Sequence, residues 1–151
     1  MVRKFFNIGA IMIMSLLGAQ AFAAGSDDYA PTSAKPAAYN KAMALIKDKN
    51  YDQAIMKLKE AEAAAKKDAD IQNLLGFAHR KSGKLDAAGK YYKSALALDS
   101  KHKGALEYQG ELFLMLGDKD AAADNLAKLD KICWLGCSEY DDLKQAIAKS
   151  Q

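Results

Sequence analysis

The segment Asp70–Ser100, which reads DIQNLLGFAHRKSGKLDAAGKYYKSALALDS, decides the fold of this 151-residue chain. Its apolar residues recur at spacings of three and four, as in amphipathic helices. The sequence Ser-Gly-Lys at 82–84 interrupts this pattern and predicts a sharp turn. Small residues stand at Gly76 before the turn and at Ala88 and Ala95 after it. The segment therefore predicts two helices that approach each other closely as a hairpin.

The same arrangement of small residues recurs 34 positions before and 34 positions after this hairpin. Eight of the nine positions are Gly or Ala, and no insertion is needed to align them. They are Ala42, Ala54 and Ala61; Gly76, Ala88 and Ala95; and Gly110, Ala122 and Leu129. This pattern resembles the tetratricopeptide repeat, a helix–turn–helix unit of 34 residues. The resemblance implies an all-α fold, a right-handed solenoid of three repeats plus a C-terminal capping helix.

The N-terminus carries the pattern of a secretory signal peptide. Arg3 and Lys4 precede an uncharged, mostly apolar run of 15 residues, Phe5–Ala19, and Ala21-Phe22-Ala23 presents small residues for cleavage. The run is shorter than the roughly 20 residues that a spanning helix needs. We expect cleavage after Ala23, no integral membrane segment in the mature chain, and a periplasmic or secreted location.

The remaining chain divides into a flexible leader and one helical domain. Residues 24–35 are rich in Gly, Ser, Asp and Pro without a periodic apolar face, whereas 36–151 has the tetratricopeptide pattern. We place the repeats at about 35–68, 69–102 and 103–135 and the capping helix at 139–149. Ser138 and Asp141 resemble a capping box at the start of that last helix. The small residues of each repeat are expected to let the two helices of its own hairpin approach.

Charge and motifs exclude several function classes. Loss of Arg3 and Lys4 leaves 20 basic against 19 acidic side chains, which gives no electrostatic case for a nucleic-acid partner. The repeat framework brings together no plausible Ser/His/Asp arrangement, phosphate loop or paired carboxylates. We therefore expect neither catalysis nor a cofactor. His79 is expected to pack between helices, and His102 to lie in solvent.

Cys133 and Cys137 form the one local motif beyond the repeats, Cys-Trp-Leu-Gly-Cys. Two cysteines four apart in an exported protein are readily interpreted as a disulfide, here one that fixes the capping helix. The alternative is a functional thiol pair, because two such thiolates can also bind a soft ion such as Cu(I). That alternative predicts a redox or copper-handling accessory protein.

The resemblance also implies where a partner binds. In tetratricopeptide proteins the first helix of each repeat lines a concave groove, and the mixture of side chains here fits a peptide or protein segment. Tyr39, Phe77 and Arg80 are the candidate anchors. The full set of candidate groove residues is Tyr39, Met43, Asn73, Phe77, Arg80, Glu107, Glu111 and Met115. The hypothesis is a non-catalytic scaffold for another envelope or secreted protein, with self-association through terminal helices also possible.

Overall fold

The computed structural model describes residues 35–65 and 67–150, and within these ranges it contains seven α-helices and no strand. The predicted signal peptide and nearly all of the predicted leader lie outside the described residues. In the described part, no helix is both long enough and apolar enough to cross a membrane. The helices are α1 (Ala37–Lys47), α2 (Tyr51–Ala64), α3 (Ala69–Lys81), α4 (Leu85–Leu98), α5 (Lys103–Met115), α6 (Lys119–Ile132) and α7 (Ser138–Lys149).

The helices pair into three hairpins, α1/α2, α3/α4 and α5/α6, and α7 packs on the last of them. Each hairpin also packs against the next, so that buried apolar clusters join α1, α2 and α3, then α4 and α5, then α5, α6 and α7. A hairpin in this arrangement covers the apolar face of its neighbour, which is how solenoid repeats gain stability. The all-α solenoid of three repeats and a C-terminal helix is confirmed.

Equivalent turns close the three hairpins. The residue that follows each first helix by two positions adopts a positive φ, with values of 57° at Lys49, 75° at Gly83 and 82° at Gly117. The next amide N–H donates to the carbonyl five residues earlier, at 2.8 Å in the first hairpin and 2.9 Å in the other two. This is the Schellman arrangement that ends many helices. Lys49 is the non-glycine residue at this position, and it therefore adopts the left-handed conformation at a steric cost.

The small residues of the repeat are buried as predicted, but Gly76 and Gly110 accommodate different neighbours. A Cβ atom at Gly76 would lie 2.5 Å from the ring of Tyr92, which is on the second helix of the same hairpin. A Cβ atom at Gly110 would lie 2.6 Å from Leu143 of α7. The nearest neighbour of Gly110 is therefore a residue of α7 and not one of its own hairpin. Leu126, the residue that corresponds to Tyr92, is shorter than tyrosine, and the C-terminal helix fills the space.

Helix α7 begins one residue earlier than expected. Its N-cap is Cys137, with no capping side-chain hydrogen bond, and Ser138 is already helical. The hydroxyl of Ser138 donates to Glu139 Oε2 at 3.3 Å instead of accepting from the backbone. The predicted capping box is therefore wrong, because the extended backbone of Cys137 brings the chain into the helix.

Candidate functional site

The predicted groove residues lie on the first helices of the three hairpins and differ in accessibility. Asn73, Arg80 and Glu107 are buried, each with 7% of its surface exposed. Tyr39, Phe77 and Glu111 are half-buried. Met43 and Met115 are exposed, at 42% and 55%. A partner would therefore meet the two methionines and the edges of the half-buried side chains first.

Arg80 links helices α3, α4 and α5. It lies in the last turn of α3, where a cation interacts favourably with the carbonyl end of the helix. Its Nη2 atom lies 2.5 Å from Glu111 Oε2, within ion-pair distance but without the alignment of a hydrogen bond. Its Nε–H donates to the hydroxyl oxygen of Tyr92 at 3.3 Å. Burial raises the pKa of Tyr92, so its hydroxyl stays neutral and accepts this hydrogen bond.

Aromatic rings surround the guanidinium group of Arg80. Its Cζ atom lies 5.7 Å from the ring centre of Phe77 and 5.6 Å from that of Tyr108. These two rings pack against each other at 5.0 Å, and Tyr51 meets Phe77 edge-on at 6.2 Å. Cations are attracted to aromatic faces at such distances. The charge of Arg80 is thus held by two rings and a carboxylate.

Tyr108 was missed among the candidate residues, although a signal for it was present in the sequence. Tyr108 and Glu111 lie three residues apart on α5 and therefore share one side of that helix. Since Glu111 was a candidate, Tyr108, about one helical turn before it, could have been predicted from helical spacing alone.

Glu107 is a buried carboxylate in an acidic environment. Its pKa is raised from 4.5 to about 8, chiefly by burial and also by the carboxylates of Glu111, Asp142 and Glu139, while Arg80 opposes the rise. Glu139 and Asp142 belong to α7, which packs beside α5 as α5 packs beside α3. Two acidic side chains of the C-terminal helix thus act electrostatically on Glu107, which the sequence did not predict.

Tyr39 and Met43 belong to a different environment at the start of the solenoid. Tyr39 packs on the apolar cluster around Ala42, and the Lys35 ammonium group lies 5.4 Å from its ring centre. Lys35 also pairs with Asp68 at 2.5 Å and Asp70 at 2.7 Å. The structure therefore joins Phe77, Arg80 and Glu111 by direct contacts and leaves Tyr39 in a separate cluster.

His102 is the N-cap of α5 and not a solvated side chain as expected. Its Nδ1 atom accepts from the amide N–H of Ala105 at 3.1 Å, so the proton is on Nε2, which lies 2.9 Å from Asp70 Oδ1. Its side chain is 13% exposed. The histidine connects the starts of α3 and α5, the two helices that contain the aromatic and acidic residues.

His79 packs as expected, on a second concave region formed mainly by α2 and α4. Its ring stacks on Tyr91 with centres 5.1 Å apart, and the ammonium group of Lys59 lies 4.7 Å from the centre of the Tyr91 ring. These residues, with Ile55 and Lys90, line an open pocket of about 650 Å³. Because second helices supply most of its lining, this pocket is separate from the predicted groove.

Cys133 and Cys137 connect α6 to α7, and their sulfur atoms lie 2.05 Å apart, at the distance of a disulfide bond. Cys133 packs on the apolar cluster of Leu106, Leu129 and Leu143. Trp134, between the two cysteines, is 81% exposed. Among the described residues, no group of three or more His, Cys, Asp or Glu side chains is arranged to hold a metal ion.

Solved structures with similar folds include peptide complexes. The type III secretion chaperone SycD of Yersinia enterocolitica, in complex with a peptide of the translocator YopD, is similar over 75% of this chain and 86% of SycD (TM-score 0.65, 18% identity). The first TPR domain of RPAP3, bound to the HSP90 peptide SRMEEVD, is similar over 75% of this chain and 89% of that domain (TM-score 0.66, 17% identity). MamA of Desulfovibrio magneticus RS-1 is similar over 67% of this chain and 57% of its own (TM-score 0.62, 27% identity). No curated protein matches the chain by sequence.

A family model described as tetratricopeptide repeat matches residues 39–103 and again residues 73–134. Together the two matches run through all three hairpins and cover more than half of the chain. The sequence period, the stacked hairpins and this match agree, and the chain belongs to the tetratricopeptide repeat family.

Proposed function

We propose that this chain is a non-catalytic scaffold of the periplasm or the secreted fraction, and that its groove binds a segment of another envelope or secreted protein. The groove is the face formed by α1, α3, α5 and α7, the helices that line the concave side in this family. One observation carries the proposal. Phe77 and Tyr108 are half-buried on this face and pack beside the guanidinium group of Arg80, and aromatic rings are among the side chains that contribute most to binding at interfaces.

The fold and its relatives support an interaction role. Tetratricopeptide solenoids serve protein–protein interaction, and two of the similar structures are complexes with peptides. At 17% and 18% identity these likenesses concern the fold alone. The chemistry of the partner therefore has to be argued from the side chains of this chain.

Export is part of the proposal and is supported by the signal-peptide pattern of residues 1–23. We further propose that Cys133 and Cys137 form a structural disulfide, since an oxidising compartment permits it and the sulfur atoms lie 2.05 Å apart. Mass spectrometry of the exported chain after thiol alkylation should find Ala24 at its N-terminus and no alkylated cysteine. Two free thiols that bind Cu(I) would instead favour the redox or copper-handling alternative.

Site-specific photo-crosslinking in the native cell tests the groove. The mature chain offers three exposed methionines, with Met43 and Met115 on the predicted groove and Met56 on α2 as the matched control, at 42%, 55% and 62% exposure. A photoreactive amino acid at Met43 or Met115 should crosslink the same partner protein, and one at Met56 should not. Crosslinking to that partner from Met56 alone would contradict the proposal.

A further inference from the structure

Glu107 is an acidic group that lacks a cationic partner of its own. Only 7% of its surface is exposed, and no hydrogen bond from the described residues offsets the cost of burying its carboxylate. A buried carboxyl group in that position is unfavourable when charged, unless a cation or hydrogen-bond donors reach it. The carboxyl group of Glu107 can therefore form hydrogen bonds that no described residue supplies.

The surrounding charges are predominantly negative. Four carboxylates from two helices act together at this point: Glu107 and Glu111 of α5, and Glu139 and Asp142 of α7. We refer to these four residues as the acidic cluster. Arg80 is the cation that acts on Glu107, and Glu111 already binds it at 2.5 Å. The other three carboxylates outnumber the two cations nearby, Arg80 and Lys81, and Glu107 adds a further negative charge when it ionises.

Asn73 provides a second, independent observation at the same interface. It is 7% exposed, and its side-chain oxygen Oδ1 has no hydrogen-bond partner among the described residues. Its Nδ2 atom lies 3.1 Å from where a Cβ of Gly104 would stand, and Gly104 precedes Glu107 by one helical turn on α5. Unpaired buried acceptors are rare and costly. Asn73 Oδ1 is thus a buried acceptor without a donor among the described residues.

The neighbouring rings are suited to a cation. Phe77 and Tyr108 already hold the guanidinium group of Arg80, and the ammonium group of Lys81 lies 5.5 Å from the ring centre of Phe77. Lysine and arginine side chains supply donors and positive charge together, whereas the groove at this end supplies acceptors, negative charge and aromatic faces.

We propose that the acidic cluster, with Phe77 and Tyr108, binds a lysine or arginine side chain of the partner segment. This inference rests on the proposed function, because it names the chemistry of the segment that the groove binds. The argument for this occupant is charge complementarity. The basic side chain enters beside Glu107, and the carboxylates of Glu139 and Asp142 on α7 add electrostatic attraction.

Peptide display tests the proposal without knowledge of the natural partner. A library of random dodecapeptides is selected on the mature chain and, in parallel, on the double variant Glu107→Gln/Asp142→Asn. Glu60→Gln is the matched control, because Glu60 is an exposed acidic residue of α2 whose only ion pair within the described part of the chain is with Lys57 on the same helix. Fluorescence anisotropy with the selected peptides then gives affinities for each variant.

We expect the wild-type chain and Glu60→Gln to select peptides that share a lysine or arginine at one position. The double variant should bind these peptides about tenfold more weakly or worse, since a hydrogen bond to a charged group is lost. Peptides that compete with groove crosslinks but show no preference for basic residues would overturn this inference and leave the proposed function standing. Failure to select any peptide that competes with those crosslinks would overturn both.

Discussion

Among the single side chains, Glu107 couples protonation to stability. Its pKa is near 4.5 when unfolded and about 8 when folded, so the folded chain holds the proton more tightly. The contribution of Glu107 to the free energy of unfolding is therefore fully present below about pH 4.5. It declines as the pH rises and is lost above about pH 8. Glu107→Gln cannot ionise. We expect the variant to match the wild-type chain near pH 5 and to be more stable by on the order of 2 kcal/mol near pH 9.

Urea unfolding of both chains at pH 5, 7 and 9 measures this difference in free energy. Glu60→Gln serves again as the control, since its exposed carboxylate should leave the pH dependence unchanged. A difference between Glu107→Gln and the wild-type chain that stays constant across the three pH values would show that Glu107 is not the group responsible.

The raised pKa of Glu107 also predicts how the affinity for a basic peptide should depend on pH. A bound cation favours the ionised form of Glu107, so binding near pH 7 should release a proton. Affinity for a lysine-containing peptide should therefore rise between pH 6 and pH 9 in the wild-type chain. In Glu107→Gln this rise should be absent. Anisotropy titrations across this range check the prediction, and an unchanged pH profile in the variant would contradict it.

The sequence predicted which residues occupy the groove helices but not how they combine. Phe77, Arg80 and Glu111 were identified from their repeat positions. Their mutual contacts depend on the rotation and spacing of α3 and α5, which residue positions do not specify. For the same reason the contact of His102 with Asp70 was not foreseen, because Asp70 lies 32 residues earlier in the chain.

Among the helices and turns, the first hairpin differs from the others at one backbone position. Lys49 has a φ of 57°, where the equivalent residues of the next two hairpins are Gly83 and Gly117. Glycine adopts this conformation without the steric cost of a side chain. We expect Lys49→Gly to stabilise the chain by about 0.5–1 kcal/mol, and Gly83→Lys to destabilise it by about 1 kcal/mol.

Thermal or urea unfolding of the two variants measures both effects, and each variant is the other's control because the same exchange is made in opposite directions. Loss of stability in Lys49→Gly would mean that the side chain of Lys49 contributes more than its backbone conformation costs. That result would contradict the equivalence of the three turns.

The 34-residue period was sufficient to locate the hairpins, because small residues repeat wherever helices approach closely. It did not specify which neighbour fills each gap. Gly76 accommodates Tyr92, whereas Gly110 accommodates Leu143, because the third repeat lacks a large ring at the equivalent place. Packing at the end of the solenoid therefore depended on a helix that lies outside the repeat period.

For the solenoid as a unit, the sequence predicted stacking because each hairpin exposes an apolar face that the next one covers. The acidic end of the groove could not be predicted in the same way. It includes Glu139 and Asp142, whose helix follows no repeat template. Their position became evident only from the packing of α7 against α5.

Methyl NMR of the mature chain, with isotope-labelled methionine and a peptide from the display selection, tests the central claim most directly. After cleavage at Ala23 the chain retains three methionines, at positions 43, 56 and 115, and all three are exposed. Binding in the groove predicts that the signal of Met115, alone or with that of Met43, shifts on titration while the signal of Met56 does not. A shift of Met56 with both other signals unchanged would contradict the account.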